Sequence, residues 1–222
     1  MCFSASASFT ASAVLLTIGA IAIKKSSTPA QRLLSCIPIV FGLQQLTEGL
    51  LWIGLSRPGY EYLVQPAKYG FLLFAQVVWP TLIPLSMMRI EPNPVRKNIM
   101  KVLLAFGVLL SSYFAYCLVA YPVTVGTGCA HINYVLTYPP LGVLAMGWGY
   151  FLPAAIPPFI SGIGKLRLLG LATLLAYVAA KLFYEEYVIS VWCFFAALVS
   201  SFVLYIIYEM NPQKPAAEPE KR

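Results

Sequence analysis

Residues 33–55 read LLSCIPIVFGLQQLTEGLLWIGL, an apolar run that contains one carboxylate, Glu48. At about 1.5 Å per residue, a helix of this length crosses a hydrocarbon layer of about 30 Å. Within the run Gln44, Glu48 and Trp52 recur every four residues and therefore share one helix face, with Gln45 beside them. Because polar side chains are costly in lipid, the run predicts a membrane-spanning helix whose polar face points into a helix bundle.

The rest of the chain repeats this pattern of long apolar runs and short charged connections. Of its 222 residues, 59% are hydrophobic and only 10% are charged, whereas soluble domains are about half apolar and a quarter charged. The sequence therefore predicts an all-α, polytopic transmembrane bundle of about seven helices. The expected spans are residues 9–23, 33–55, 69–88, 102–121, 141–160, 168–187 and 188–208.

Prolines and connection lengths predict further features of these spans. Pro153, Pro157 and Pro158 predict a kink near the cytoplasmic end of the fifth span. The sixth and seventh spans follow each other almost without a connection, which predicts a tight antiparallel hairpin. We expect one transmembrane domain over residues 1–210 and a short disordered tail over 211–222, because the tail is polar and charged.

Basic residues concentrate in alternate connections. Most of the Lys and Arg residues fall in residues 24–32, 89–101 and 165–167 and in the tail. Since basic connections stay in the cytoplasm, we expect the N-terminus outside and the C-terminus in the cytoplasm. The same placement accounts for the net charge of +7, and no basic face interleaved with aromatic residues indicates nucleic-acid binding. The lipid bilayer is the expected partner.

Glu48 is the leading candidate for chemistry, because ionisable groups inside a membrane usually serve a function. With Gln44, Gln45 and Trp52 it is predicted to line a ligand site or a pathway; the alternative is that these groups only hold helices together by hydrogen bonds. Lys181, near the outer end of the sixth span, has two interpretations. It reaches the surface or a neighbouring glutamate, or it contacts Glu48 or an anionic substrate.

The outer half of the predicted bundle also contains soft metal ligands. Cys2 lies at the outer N-terminus, Cys193 lies in the seventh span, and the single histidine, His131, follows Cys129 by two residues in the outer loop. Two thiolates, an imidazole and the Glu48 carboxylate form a chemically sensible ligand set for zinc or copper. Cys129 is an alternative ligand, and a disulfide between Cys2 and Cys129 competes with the metal site.

Signatures of several enzyme classes are absent. The sequence contains no Walker loop, no HExxH, no CxxC and no GxSxG with a partnered histidine. Whether the protein is an enzyme stays open at this point.

Four motifs are spread over nearly the whole chain. They are Met1-Cys2-Phe3-Ser4-Ala5, Gln44-Gln45-Leu46-Thr47-Glu48, His131-Ile132-Asn133-Tyr134 and Ser190-Val191-Trp192-Cys193. In these motifs the chain resembles a bacterial family of multi-pass membrane proteins of unknown function, whose members open Met-Cys-Phe-Ser-Ala. The resemblance implies a protein of the bacterial cytoplasmic membrane and no particular reaction. Its motifs include Cys2, Gln45, Glu48, His131 and Cys193, but neither Cys129 nor Lys181.

Three hypotheses about function follow. The first is an outward-facing metal site of Cys2, Glu48, His131 and Cys193, in which Glu48 would be the general base of any hydrolytic reaction. The second is a transporter of a small solute or proton, with Glu48 in the pathway and proline-broken helices in the third and fifth spans. The third is an accessory subunit of a larger membrane complex or a homo-oligomer, which needs only the apolar faces.

Overall fold

The computed structural model describes residues 4–128, 131–140 and 149–211. Helices account for most of these residues, and one small sheet lies at an end of the bundle. The helices in chain order are α1 (Ala5–Lys25), α2 (Pro29–Ser56), α3 (Val64–Leu72), α4 (Trp79–Ile90), α5 (Pro94–Ala120), α6 (Tyr150–Ala155), α7 (Pro157–Ile160), α8 (Gly164–Phe183), α9 (Val188–Ser200) and α10 (Phe202–Met210). Strands β1 (Val123–Gly128) and β2 (His131–Leu136) pair antiparallel.

Six helical spans in the described part of the chain are long and apolar enough to cross a membrane. They are α1, α2, the run from Glu61 to Ile90 that includes α3 and α4, α5, α8, and the run from Val188 to Met210 that includes α9 and α10. The predicted class, an all-α polytopic bundle, is confirmed. Part of the predicted fifth span, residues 141–148, lies outside the described residues, as does nearly all of the predicted tail.

The described part of the fifth span confirms the predicted kink. Helix α6 ends at Ala155, and α7 begins again at Pro157. The predicted tight hairpin between the last two spans is also present, since a single 3-10 turn, Glu185–Tyr187, separates α8 from α9.

Several helices extend one to two turns beyond the predicted apolar runs. Helix α5 begins at Pro94 rather than at residue 102, because Asn93 caps it by accepting hydrogen bonds from the N–H groups of Val95 and Arg96. Thr28 caps α2 in the same way. Hydropathy identifies the part of a helix that lies in lipid, whereas capping residues decide where the helix begins.

The faces that the helices turn outward are apolar. On α5, Val102, Leu109 and Val119 are exposed, while Ser111 is buried. On α2 the side chains of Gln44 and Glu48 are almost fully buried. This arrangement, with polar groups inside and apolar groups outside, suits a lipid environment.

The third span changes its helical register where it meets its prolines. Over the π-helical segment Leu73–Val78, the Trp79 N–H donates to the carbonyl of Phe74, five residues back. Pro80 has no N–H for the next carbonyl in this register, that of Ala75. The Tyr150 hydroxyl donates to that carbonyl instead, at 2.5 Å. A side chain of α6 therefore satisfies the Ala75 carbonyl, which Pro80 leaves without a backbone donor.

Pro84 leaves a second carbonyl, that of Pro80, without its usual helical donor. Gly107 of α5 lies directly against this carbonyl, and a Cβ atom on Gly107 would lie 1.9 Å from the Pro80 oxygen. Glycine is the one residue type that permits this approach of α5 to α4, because any side chain would force the two helices apart.

The connections gather at two ends of the bundle. At the basic end, where α4 is followed by α5 and α7 by α8, Glu91 accepts hydrogen bonds from the N–H groups of Gly162 (2.7 Å) and Asn93 (3.2 Å) and from the Ser161 hydroxyl (3.0 Å). Burial raises the pKa of the Glu91 carboxyl, but these hydrogen bonds and the charge of Arg96 outweigh burial and hold that pKa below its usual value.

The β-hairpin marks the opposite end, called the hairpin end below. From the sequence, only a loop is predicted for residues 122–140. Strand pairing runs from Val123 opposite Leu136 to Gly128 opposite His131. The buried Lys68 ammonium group fixes the hairpin to the third span by donating to the Val123 carbonyl at 2.6 Å.

We predict that Gly107→Ala lowers the free energy of unfolding by about 2 kcal/mol or more, because the new methyl group overlaps the Pro80 carbonyl. The measurement is thermal unfolding of the detergent-solubilised protein, followed by circular dichroism. Gly164→Ala is the matched control, since no atom lies within 4 Å of the Cβ position at Gly164. Equal losses in both variants would contradict the proposed packing.

Candidate functional site

Buried polar side chains from four separate elements meet in the half of the bundle next to the hairpin. We call this group the polar cluster. Its members are Gln44, Gln45 and Glu48 of α2, Trp79 of α4, Tyr134 of β2, and Ser190 and Cys193 of α9.

The Glu48 carboxyl joins α2 to α9. Its Oε1 accepts a hydrogen bond from the Ser190 hydroxyl, and only 2% of the residue is exposed. Ser190 lies in the first turn of α9, so the carboxyl lies near the positive end of that helix dipole. The Gln45 amide lies beside the same carboxyl. Glu48 is therefore buried among neutral hydrogen-bonding groups.

Gln44 is held in one orientation by Trp79. The Trp79 indole N–H donates to Gln44 Oε1 at 2.7 Å, and the indole ring stacks on Phe41 with centroids 3.8 Å apart. Cys193 lies beside Gln44 and one turn of α9 beyond Ser190. Gln44 thus connects the cluster to α4 as well as to α9.

Tyr134 brings the hairpin into the cluster. Its ring stacks on Phe71 at 5.0 Å, and its hydroxyl lies close to both Glu48 and Cys193. That hydroxyl makes no hydrogen bond with any residue that the structure describes. The hairpin therefore covers the polar cluster at the hairpin end of the bundle. The Tyr134 hydroxyl hydrogen lies inside the cluster without an acceptor among the described residues.

An apolar cleft continues from the polar cluster toward the basic end. It lies between α2, α4, α6, α8 and α9. Trp79 and Cys193 belong both to its walls and to the cluster. The rest of the lining is almost entirely apolar and includes Ile37, Phe41, Met87, Leu169, Trp192 and Ala196.

The structure brings together some of the predicted site residues and separates others. Gln44, Gln45, Glu48 and Cys193 meet, and Trp52 is buried one turn of α2 beyond Glu48. Lys181 is exposed near the end of α8. His131 is buried under the connection between α8 and α9, with its ring 5.0 Å from those of Tyr184 and Tyr187.

The predicted metal site stays a prediction. Cys2 and the alternative ligand Cys129 lie outside the described residues. Among the residues that are described, no three His, Cys, Asp or Glu side chains form a group that could hold a metal ion. Glu48 and Cys193, two of the four proposed ligands, lie within electrostatic range of each other.

No local pattern predicted a role for Tyr134, Ser190 or Trp79. Two of them lie within the sequence motifs: Tyr134 ends His131-Ile132-Asn133-Tyr134, and Ser190 begins Ser190-Val191-Trp192-Cys193. The alternation of Val123, Val125 and the glycines 126 and 128 was a signal for the hairpin that carries Tyr134.

The family of unknown function DUF6629 matches residues 1–220. The chain belongs to this family. No curated protein and no solved structure matches it. Membership in DUF6629, a family of unknown function, assigns no reaction, so the function has to be argued from the site.

We predict that Ser190→Ala lowers the free energy of unfolding by about 1.5–3 kcal/mol, because it removes a hydrogen bond to a buried carboxyl. In a Glu48→Gln background the same substitution should lower the free energy of unfolding by less. Thermal unfolding of the wild type, the two single variants and the double variant measures this coupling. Ser112→Ala is the control, since Ser112 is exposed and bonds only to its own helix. Additive losses in the cycle would show that the two side chains do not interact.

Proposed function

We propose that this DUF6629 protein binds a small lipid-soluble molecule inside its helix bundle. The polar cluster would hold the polar group of the molecule, and the apolar cleft would hold its hydrocarbon part. The observation that carries the proposal is the continuity of the two: Trp79 and Cys193 form part of both.

The lining of the cleft supports this proposal. Pockets for small molecules commonly have mostly apolar walls with a few polar groups. The cleft has mostly apolar walls, and the polar cluster adjoins it at Trp79 and Cys193. This asymmetry suits an amphipathic ligand better than a fully polar solute or an ion.

The burial of Glu48 supports a functional role for the cluster. A carboxyl among membrane-spanning helices is costly, and such groups commonly belong to binding sites or solute pathways. Binding at this site is also the first step that transport of a solute along Glu48 would require. Transport itself is a further step, for which the proline break between α6 and α7 supplies a hinge.

The test uses 1-bromodecane, whose bromine quenches tryptophan fluorescence on contact. We expect saturable quenching in detergent, because Trp79 and Trp192 line the cleft. Ala196→Phe fills the cleft and should reduce the quenching at least fivefold. Ala13→Phe, which adds the same ring to an exposed position on α1, should leave it unchanged.

Two outcomes would contradict the proposal. One is quenching that rises linearly with 1-bromodecane and does not saturate, as expected for partition into the micelle alone. The other is the same quenching in Ala196→Phe as in Ala13→Phe, which would place the contact outside the cleft.

A metal site is the second candidate function, favoured by the proximity of the Cys193 thiol and the Glu48 carboxyl. A thiolate and a carboxylate suit zinc, and a thiolate suits copper(I). We expect elemental analysis of the purified protein to find about one metal per chain, which Cys193→Ser removes and Cys36→Ser retains. Absence of zinc and copper from the wild-type protein would exclude this candidate.

We infer that the bundle lies in the bacterial cytoplasmic membrane with its basic end in the cytoplasm. Basic residues at that end, among them Lys25, Arg96 and Arg167, support this orientation. Alkaline phosphatase is active only outside the cytoplasm, so its fusion after Met210 should be inactive and its insertion at Gly126 active. The reverse pattern would overturn the proposed orientation.

A further inference from the structure

A buried carboxyl lies next to the part of the cleft that is nearest the basic end of the bundle. On α4 and α7 the lining residues nearest that end are Met87 and Pro158. Glu91 follows Met87 by one helical turn, and its backbone N–H donates to the Met87 carbonyl. Ser161 follows Pro158 by three residues, and Glu91 and Ser161 are each only 1% exposed. The contact between Glu91 and Ser161 therefore adjoins the cleft.

The two oxygens of Glu91 serve two different connections of the chain. Its Oε2 accepts hydrogen bonds from the Gly162 N–H at 2.7 Å and from the Ser161 hydroxyl at 3.0 Å, both in the connection from α7 to α8. Its Oε1 accepts from the Asn93 N–H at 3.2 Å, in the connection from α4 to α5. An ionised carboxylate suits this position, because it offers two acceptor oxygens and no donor. One side chain thus joins the two connections.

Arg96 strengthens this contact. A Cβ atom on Gly162 would lie 2.5 Å from Arg96 Nη1 and 3.1 Å from Glu91 Oε1, so the guanidinium and the carboxyl both lie directly against the Gly162 backbone. The positive charge of Arg96 favours the ionised form of Glu91. Hydrogen bonds to an ionised group are stronger than those between neutral groups. The contact therefore depends on the Glu91 charge as well as on its two oxygens.

The segment that Glu91 holds is joined to the rest of its span through a helix break. Helix α6 ends at Ala155, and α7 is a single turn, Pro157–Ile160, that begins with two prolines. Because proline has no N–H, fewer backbone hydrogen bonds join the two helices. Helix α7 packs instead on α8, where a Cβ atom on Gly170 would lie 2.9 Å from Pro158 Cβ. Helix α7 and the first two turns of α8 therefore form one unit, with the break at one side and Glu91 at the other.

We propose that Glu91 is a latch that controls access of the ligand to the cleft. In the closed state it holds the unit of α7 and early α8 against the end of α4, which closes the wall between Met87 and Pro158. When the hydrogen bonds of Glu91 to Ser161 and Gly162 break, the unit rotates at the proline break, and the ligand enters or leaves between α4 and α7. This inference rests on the proposed function, because it names the device that regulates the same cleft.

A latch and a residue that contacts the ligand differ in their effect on binding kinetics. If the ligand exchanges only through a minor open state, weakening the latch raises the population of that state. Association and dissociation then accelerate by the same factor, and their ratio, the Kd, stays almost unchanged. Loss of a direct ligand contact would instead raise the Kd, mainly through faster dissociation.

The test measures both rates with 1-bromodecane. Micelles loaded with this compound are mixed with the full-length protein in a stopped-flow instrument, and the quenching of tryptophan fluorescence is followed over time. Glu91→Gln keeps the size of the side chain but removes its charge and one acceptor oxygen. We expect both rates to rise about fivefold or more, the value of one hydrogen bond, while the Kd changes by less than about twofold.

Two further variants complete the test. Ser161→Ala removes one of the two hydrogen bonds to the α7–α8 connection and leaves Glu91 in place, so it should raise both rates by a smaller factor. Glu209→Gln is the matched control, because it removes a carboxylate at the same end of the bundle that pairs with Lys165 and does not line the cleft. It should keep the wild-type rates.

The outcomes separate this inference from the proposed function. Saturable quenching with wild-type rates in both Glu91→Gln and Ser161→Ala would overturn the latch and leave the ligand site in place. A raised Kd with an unchanged association rate would also overturn it. If circular dichroism shows that Glu91→Gln does not fold, the rates of Ser161→Ala decide. Absence of saturable quenching in the wild-type protein would overturn the proposed function and the latch together.

Discussion

Lipid offers no hydrogen-bond partner, so every polar group within the spans has to be satisfied by another part of the chain. The prolines of the third span make this constraint acute, because each removes a donor from a helix that lies in the middle of the bundle. The carbonyl of Ala75 finds its donor in Tyr150, and that of Pro80 faces Gly107. The Ser111 hydroxyl donates to the Val77 carbonyl at 2.7 Å. Consequently α5 and α6 pack against the proline-containing part of the third span, and the cleft lies beside this part.

Three of the four sequence motifs, those in the second span, the hairpin and the last span, meet in or beside the polar cluster. Gln44, Gln45 and Glu48 come from the second span, Tyr134 from the hairpin, and Ser190 and Cys193 from the last span. The fourth motif begins α1, where Ser4 caps the helix by accepting a hydrogen bond from the Ala7 N–H. Phe9 of the same helix lies against Gly49, one residue after Glu48. Residues that lie far apart in the sequence are thus concentrated around one buried site.

The sequence by itself determined the class of fold, six of the spans and the burial of the Gln44–Glu48 face, because hydropathy, helix length and helical spacing are local properties of the chain. Local patterns also predicted the kink at Pro157 and the close pairing of the last two spans. Only the tertiary structure decided that Ser190 bonds to Glu48, that Trp79 orients Gln44, and that a hairpin carries Tyr134 into the bundle. These partners lie up to 142 residues apart, and which of several polar residues meet depends on how the helices pack, which no local pattern encodes.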